Sequence, residues 1–261
     1  MPPVTLLDKI YGSNSVATLK NYYSNIVEGL EVQLQIIGKT DRGWIQLDVS
    51  GNDAPVALNL FEQKIGLAPY SVDELEKFSV VQGRVISLNE KSKELQVDLG
   101  IVSPKPCDAT ISQKDLQAQL TDGKHVTFQE LIKLFCLFNN VPVEVKLMQN
   151  VDQKASTVKA ILSEGQISLF RDWVGSRLDR LIILGTKDSK VKRAIKGSRV
   201  FRDIITTESL GALEHTVLCK LGTDAVGLIP KVGRYLKSSV ILVPFSPKNI
   251  IKKIGNETFD D

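Results

Sequence analysis

The sequence has few of the residues that bind metals or form disulfides. Its 261 residues include only two histidines, and the three cysteines, Cys107, Cys136 and Cys219, form no Cys-x-x-Cys pair. An odd number of widely spaced cysteines argues against a disulfide framework and against a thiolate zinc site. We therefore expect the cysteines to be buried as small apolar residues, and we predict no metal site and no cofactor.

Long hydrophobic runs are also missing. No apolar run approaches the ~20 residues that a helix needs to cross a bilayer. The first residues lack a basic segment followed by a sustained apolar stretch, which is the pattern of a secretory signal. With 43% hydrophobic and 24% charged residues, the composition is that of an ordinary folded protein. We therefore expect a cytoplasmic protein with no membrane partner.

The two histidines offer no arrangement that is typical of catalysis. His125 precedes a predicted helix without neighbouring ligands, and His215 lies on a predicted strand four residues before Cys219. Residues four apart on a strand are separated by ~13 Å, which is too far for the hydrogen bond between a nucleophile and its base. The sequence therefore predicts that the protein is not an enzyme.

Positive charge is concentrated in the last third of the chain. Residues 177–261 contain 16 Lys and Arg against 9 Asp and Glu, a net charge of +7. Residues 1–176 contain 17 Lys and Arg against 21 Asp and Glu, a net charge of −4. A field of one sign on one domain indicates the kind of partner that this domain attracts, such as nucleic acid.

Apolar periodicity divides the chain into several regions. Residues 1–78 follow the order β-α-β-β-α, which is most of a ferredoxin-like split βαβ unit, and residues 177–247 follow the complete order βαββαβ. A generic α+β sandwich predicts nearly the same pattern for each. A helix over residues 163–176 is predicted to connect the C-terminal domain to a middle region, residues 79–162, and residues 248–261 are predicted to be a flexible tail.

The middle region has the element order of a small barrel. Three short alternating runs are followed by a helix, whose start is marked by a capping box of Thr127 and Glu130, and then by two more strand-like runs. Three strands, a helix and two strands is the order of a five-stranded barrel of the OB type.

Two parts of the chain resemble known families. Residues 83–85, 97–100 and 108–116 resemble the first strands of an S1-like RNA-binding domain. The run 202–236, with the helix around residues 171–173, resembles an uncharacterised archaeal protein family, domain of unknown function 2110. This resemblance implies an archaeal cytosolic protein with an S1-like middle portion, and it supplies no activity. The predicted fold class is therefore α+β, with two ferredoxin-like domains flanking a small S1/OB-like five-stranded barrel.

A basic helix is the strongest functional feature of the sequence. The pattern predicts a helix over residues 187–203, with Phe201 directed toward the sheet. Lys192, Lys196 and Arg199 would share one stripe, where the cations repel one another unless a polyanion binds. An ordinary solvated helix face is the alternative. The candidate nucleic-acid-binding residues are Lys187, Lys190, Lys192, Arg193, Lys196, Arg199, Arg202, Lys231, Arg234, Lys237 and, on the barrel, Arg84.

The turn at residues 222–224, Gly-Thr-Asp, precedes the last predicted helix. Its backbone N–H groups could receive an anion, but Thr223 or Asp224 can also simply cap the helix. Since no phosphate-binding glycine motif accompanies the turn, we favour the cap.

These observations predict a non-catalytic RNA-binding protein. Its partner would be structured RNA or a ribonucleoprotein such as the ribosome or the transcription machinery, and protein partners in such an assembly are a further option. One alternative is a protein-interaction adaptor that docks on a larger assembly. Another is a regulator that senses a metabolite.

Overall fold

A mixed α+β architecture with three sheets is present in the computed structural model, which describes residues 3–10, 15–89, 93–103, 105–150 and 155–255. None of the helices in these ranges is long and apolar enough to cross a membrane.

The N-terminal region contains a three-stranded antiparallel sheet with the strand order β1-β3-β2. Two helices cover one face, because Leu19 and Tyr23 from the first helix and Ala57 and Phe61 from the second share a core with alternate strand residues. This confirms the predicted order β-α-β-β-α. The elements are β1 (Val4–Lys9), α1 (Ser15–Ile26), β2 (Val32–Lys39), β3 (Trp44–Gly51) and α2 (Ala54–Lys64).

The chain after α2 returns along the outer edge of β1. The backbone N–H of Leu7 donates to the carbonyl of Gly66, at 3.1 Å, and that of Ala68 donates to the carbonyl of Thr5, at 2.8 Å. This short antiparallel segment takes the place that a fourth strand would occupy.

The middle region is a closed five-stranded barrel with the strand order β4-β5-β6-β8-β7, as the element order predicts. At Gly83 a Cβ atom would lie 2.5 Å from the carbonyl oxygen of Asp98, so only glycine allows β4 to approach β5 this closely. The capping box of Thr127 and Glu130 is present, whereas residues 113–116, the end of the run 108–116 that resembles an S1 strand, begin α3. The elements are β4 (Val80–Asn89), β5 (Glu94–Asp98), β6 (Asp108–Ser112), α3 (Gln113–Leu120), α4 (Phe128–Leu134), β7 (Pro142–Leu147) and β8 (Thr157–Leu162).

The C-terminal region contains a four-stranded antiparallel sheet with the strand order β10-β11-β9-β12. The order βαββαβ agrees with the prediction, and α6 and α7 cover the same face, where Val191 and Leu228 meet Ile183 and Val217. The elements are β9 (Arg180–Leu184), α6 (Asp188–Gly197), β10 (Ile204–Ser209), β11 (Glu214–Cys219), α7 (Ala225–Gly233) and β12 (Ile241–Phe245).

The connector helix α5 (Glu164–Gly175) lies within the predicted range 163–176 and joins two cores. Its Trp173 packs edge-on against Phe245 of the C-terminal sheet, with the ring centroids 5.1 Å apart. The second face of that sheet therefore continues into the barrel core through Ile182, Leu184 and α5.

Three predicted boundaries are wrong. Helix α6 ends at Gly197, and a 3-10 turn at Phe201–Asp203 follows where the helix was expected to continue. The expected tail begins instead with α8 (Pro247–Ile254), in which Ile250 and Ile254 are buried against the barrel helices. Residues 256–261 of that tail lie outside the described residues. The capping-box pattern of Ser71 and Glu74 predicts a short helix ending near residue 78, but a 3-10 turn, Val72–Glu74, forms there.

Candidate nucleic-acid interface

Helix α6 is amphipathic. Its apolar residues recur with the helical period on one face, and the basic residues therefore lie on the opposite face. Val191, Ala194 and Ile195 are buried against the sheet, while Lys192 and Lys196 are exposed. Lys192 forms an ion pair with Asp188 one turn earlier, at 2.7 Å. Exposed pairs of this kind contribute only ~0.3–0.5 kcal/mol, so Lys192 can exchange this partner for a phosphate at little cost.

The predicted stripe of Lys192, Lys196 and Arg199 is only partly correct. Lys192 and Lys196 do lie one turn apart on α6, but Arg199 follows the helix end and has a positive φ of 60°. The sequence signal for this ending is Gly197, which is followed by Ser198. Arg199 and Arg202 are exposed on the turn that leads from α6 into β10.

Helix α7 extends the basic area. It contacts α6 where Gly197 faces the ring of Tyr235, since a Cβ atom at Gly197 would lie 2.8 Å from that ring. We call the exposed cations of α6, α7 and the turns after them the basic surface. Its members are Lys187, Lys190, Lys192, Arg193, Lys196, Arg199, Arg202, Lys231, Arg234 and Lys237.

A groove of about 540 Å³ lies beside the basic surface, between α6 and the edge strand β10. The groove, called here the α6–β10 groove, contains exposed apolar side chains, because Phe201 is 55% exposed and Ile205 is 52% exposed. The sequence pattern predicts that Phe201 packs against the sheet. This prediction is wrong, because α6 ends early and the side chain of Phe201 is exposed. The lining includes Lys192, Lys196, Phe201, Ile205, Thr206 and Thr207.

The assignment of Arg84 to the interface is wrong, because the side chain is buried. Its Nη2 group donates to Oε2 of Glu214, at 3.1 Å, and to the carbonyl of Leu7, at 2.8 Å. Its guanidinium carbon also lies 5.7 Å from the ring centroid of Trp44. Arg84 therefore joins the barrel to both flanking regions and cannot reach an external phosphate.

Asp8 belongs to the same junction. Its carboxylate accepts hydrogen bonds from the hydroxyl of Tyr23, at 2.9 Å, and from the backbone N–H of Ala212, at 3.3 Å. Burial, with the nearby charge of Glu214, raises the pKa of Asp8 from its ordinary 3.8 to about 6. The contact between the N-terminal region and the β10–β11 loop thus contains a carboxyl that titrates near neutral pH.

Among the residues that the structure describes, the histidines and cysteines form no cluster of three metal-binding side chains. His215 is buried with Nε2 2.9 Å from the carbonyl oxygen of Thr186, and burial lowers its pKa. All three cysteines are buried, as expected, and burial raises the pKa of Cys136 and of Cys219 to about 12, which disfavours a thiolate. Within the described ranges no group of three His, Cys, Asp or Glu side chains is placed to hold a metal ion.

The turn at residues 222–224 acts as a helix cap. The side chain of Asp224 accepts a hydrogen bond from the backbone N–H of Val226, at 3.0 Å, at the start of α7. This agrees with the favoured interpretation of the turn as a cap.

An exposed aromatic residue of the barrel was missed by sequence reasoning. Strands β5 and β6 contain no aromatic side chain, but Phe78, just before β4, is exposed and has a positive φ of 74°. The ammonium groups of Lys77 and Lys146 lie 4.8 and 5.8 Å from its ring centroid. This exposed aromatic ring therefore lies beside β4 and not on β5 or β6.

Comparison with known proteins gives two family matches. Residues 3–71 match the model described as the DUF2110 N-terminal domain, and residues 178–243 match the DUF2110 C-terminal domain. No curated protein matches the chain. A crystal structure of a protein from Thermus thermophilus aligns with 100% of this chain at 13% sequence identity and a TM-score of 0.20. The chain spans 43% of the length of that protein.

Proposed function

We propose that this chain, which belongs to the DUF2110 family, is a non-catalytic RNA-binding protein of the cytoplasm. The single observation that carries the proposal is the basic surface, on which ten Lys and Arg side chains are exposed around α6 and α7. Its partner would be structured RNA or a ribonucleoprotein such as the ribosome or the transcription machinery.

The basic surface is suited to phosphate groups. Lysine and arginine contacts to phosphates release condensed counterions, and this release provides affinity that falls steeply as salt is added. Such contacts position a protein on the backbone without reading the base sequence. The expected partner is therefore selected by its shape and charge density.

The architecture supports the same proposal. We propose that the flanking regions are ferredoxin-like, since β10-β11-β9-β12 is the strand order of that split βαβ unit and β1-β3-β2 lacks only its fourth strand. We also propose that the barrel is S1/OB-like, since β4-β5-β6-β8-β7 closes with a parallel pair between β6 and β8. In this arrangement the barrel would orient the partner.

Charge reversal tests the proposal. The variant Lys192→Glu, Lys196→Glu, Arg199→Glu is compared with a matched variant of exposed N-terminal lysines, Lys20→Glu, Lys39→Glu, Lys64→Glu, which changes the net charge equally. RNA affinity is measured by fluorescence anisotropy on a blunt RNA hairpin between about 50 and 200 mM salt.

We expect the first variant to reduce the slope of log K against log salt by about three, one for each lost phosphate contact. The N-terminal variant should bind like the wild type. Equal losses in both variants, or an affinity that does not depend on salt, would contradict the proposal.

The adaptor alternative is favoured by one specific observation, the exposed edge strand β10 with Ile205 beside it, where a partner strand could add. Crosslinking the native protein in its own cells separates the two functions. RNA crosslinked to residues 187–202 supports RNA binding. Protein partners without RNA above background would favour the adaptor.

A further inference from the structure

The α6–β10 groove exists because the chain leaves α6 early. After Gly197 the backbone passes through the positive φ of Arg199 and the 3-10 turn Phe201–Asp203 before it enters β10. This route places the Phe201 ring beside the groove instead of against the sheet. The volume of about 540 Å³ is that of a site for a nucleotide-sized ligand.

The groove combines the two groups that hold an unpaired nucleotide. Phe201 offers an exposed aromatic ring, and aromatic rings stack on bases of any identity. Lys192 and Lys196 line the same groove and provide cations for the adjoining phosphates. The guanidinium of Arg202 lies over the Phe201 ring, 5.8 Å from its centroid, and adds a third cation at this aromatic ring.

We propose that the α6–β10 groove is a subsite for an unpaired base of a single-stranded RNA segment. The base stacks on Phe201, its flanking phosphates contact Lys192 and Lys196, and Thr206 and Thr207 line the groove beside the base. This inference rests on the proposed RNA binding of the basic surface and adds to it a preference for RNA with unpaired nucleotides beside a structured part.

Charge favours RNA over a peptide strand as the occupant. A peptide that adds to the β10 edge needs backbone groups and apolar side chains, and it has no need for cations. Here Lys192 and Lys196 line the groove and Arg202 lies over the Phe201 ring, while the nearby acidic residues are Asp188, which is paired with Lys192, and the exposed Glu208 of β10. The cations are complementary to the phosphates of RNA, and the apolar groove is complementary to its planar bases.

The test compares two RNA probes that differ in one feature. One is the blunt hairpin, and the other is the same hairpin with a single-stranded uridine tail. Affinities are measured by anisotropy over the same range of salt concentrations for the wild type, Phe201→Leu, Phe201→Tyr and a control at Phe78, which is also exposed, Phe78→Leu. Thermal unfolding confirms that each variant is folded, and the exposure of both phenylalanines favours this.

The wild type should bind the tailed hairpin more tightly than the blunt one. Phe201→Leu should weaken binding of the tailed hairpin by about 5- to 150-fold, which is the usual contribution of one stacked base. It should leave the blunt hairpin unchanged, and Phe201→Tyr, which keeps a ring, should bind both like the wild type. A 5-iodouridine in the tail should crosslink to the peptide that contains Phe201.

The outcomes separate the subsite from the basic surface. Salt-dependent binding of both probes with no effect of Phe201→Leu would overturn the subsite and leave the proposed function in place. Binding that neither depends on salt nor falls on charge reversal would overturn the proposed function itself. A partner protein that is lost from Phe201→Leu while RNA binding is kept would assign the groove to a protein and overturn the subsite.

Discussion

The N-terminal and C-terminal regions have the same arrangement but different surfaces. Both place two helices on one face of an antiparallel sheet, and β1-β3-β2 corresponds to β9-β11-β10. Helix α1 carries Lys20 and α2 carries Glu62 and Lys64, whereas α6, α7 and the turns that flank them carry the ten cations of the basic surface. The two regions therefore differ in the charge of the helix-bearing face and not in the arrangement of their elements.

The two regions also differ in how they join the barrel. The C-terminal sheet shares a continuous apolar core with the barrel through α5 and β12. The N-terminal region meets the barrel and the β10–β11 loop through the buried polar contacts of Asp8, Arg84 and Glu214 and of Trp44 with Asp98, and among the described residues its apolar core adds only Leu213 and Ala212 of that loop. We therefore expect the attachment of the N-terminal region to be the more sensitive to a lost charge and to pH.

The largest expected effect is a fall in stability when the buried cation at this junction is removed. Arg84→Met leaves Glu214 buried without its partner, and we expect the free energy of unfolding to fall by ~3–5 kcal/mol in chemical denaturation. The double variant Arg84→Met, Glu214→Met should recover most of this loss. The exposed control Arg171→Met should be near neutral, and a similarly small effect of Arg84→Met would contradict the polar attachment.

The next effect concerns the pH dependence of stability. Because the pKa of Asp8 is about 6 in the folded protein and 3.8 ordinarily, the folded protein binds this proton more tightly than the unfolded chain. The free energy of unfolding should therefore rise as the pH falls through about 6 toward 4, by ~3 kcal/mol at most from this group. Asp8→Asn should lack this contribution. Identical pH profiles of the wild type and Asp8→Asn, measured by urea unfolding, would exclude Asp8 as the source.

The smallest expected effects concern the N-cap residues of the two C-terminal helices. One of these residues contributes to stability, and the other is proposed to contribute to RNA binding. Asp224 caps α7 through its side chain, whereas Lys187 is at the N-cap of α6 and makes no such bond. Asp224→Ala should lower the free energy of unfolding by ~1 kcal/mol, and Lys187→Ser should raise it by up to ~1 kcal/mol, in thermal or urea unfolding. Lys187→Ser should at the same time weaken RNA binding, since it removes a cation of the basic surface. A gain in both properties would show that Lys187 is not used for binding.

Much of the element order could be predicted because it depends on local periodicity. The alternation in β2 and β3, the 3.6-residue period of α6 and the helix caps at Thr127 and Ser163 are all short-range patterns. The predicted end of α6 is wrong because its apolar period continues past Gly197 and outweighed the stop signal there. Because of this one error, Phe201 was expected to face the sheet, whereas its side chain is exposed.

The candidate site was predicted in part. The cations of α6 and α7 are exposed as expected, because lysine and arginine on the polar face of an amphipathic helix remain in water. The groove was not predictable, since it needs α6, the turn after it and an edge strand in their final positions. Arg84 was misassigned because its partner, Glu214, is 130 residues away in sequence.

The sequence by itself determined the order of helices and strands in the two flanking regions, the charge of each region and the burial of the cysteines, because these follow from local apolar patterns and composition. Only the tertiary structure decided that Arg84 and Asp8 are buried at a junction, that residues 247–254 form a packed helix and that Phe201 lies beside a groove. The physical reason is that desolvation and pairing of a side chain depend on residues far along the chain, which come together only when the sheets and the barrel pack.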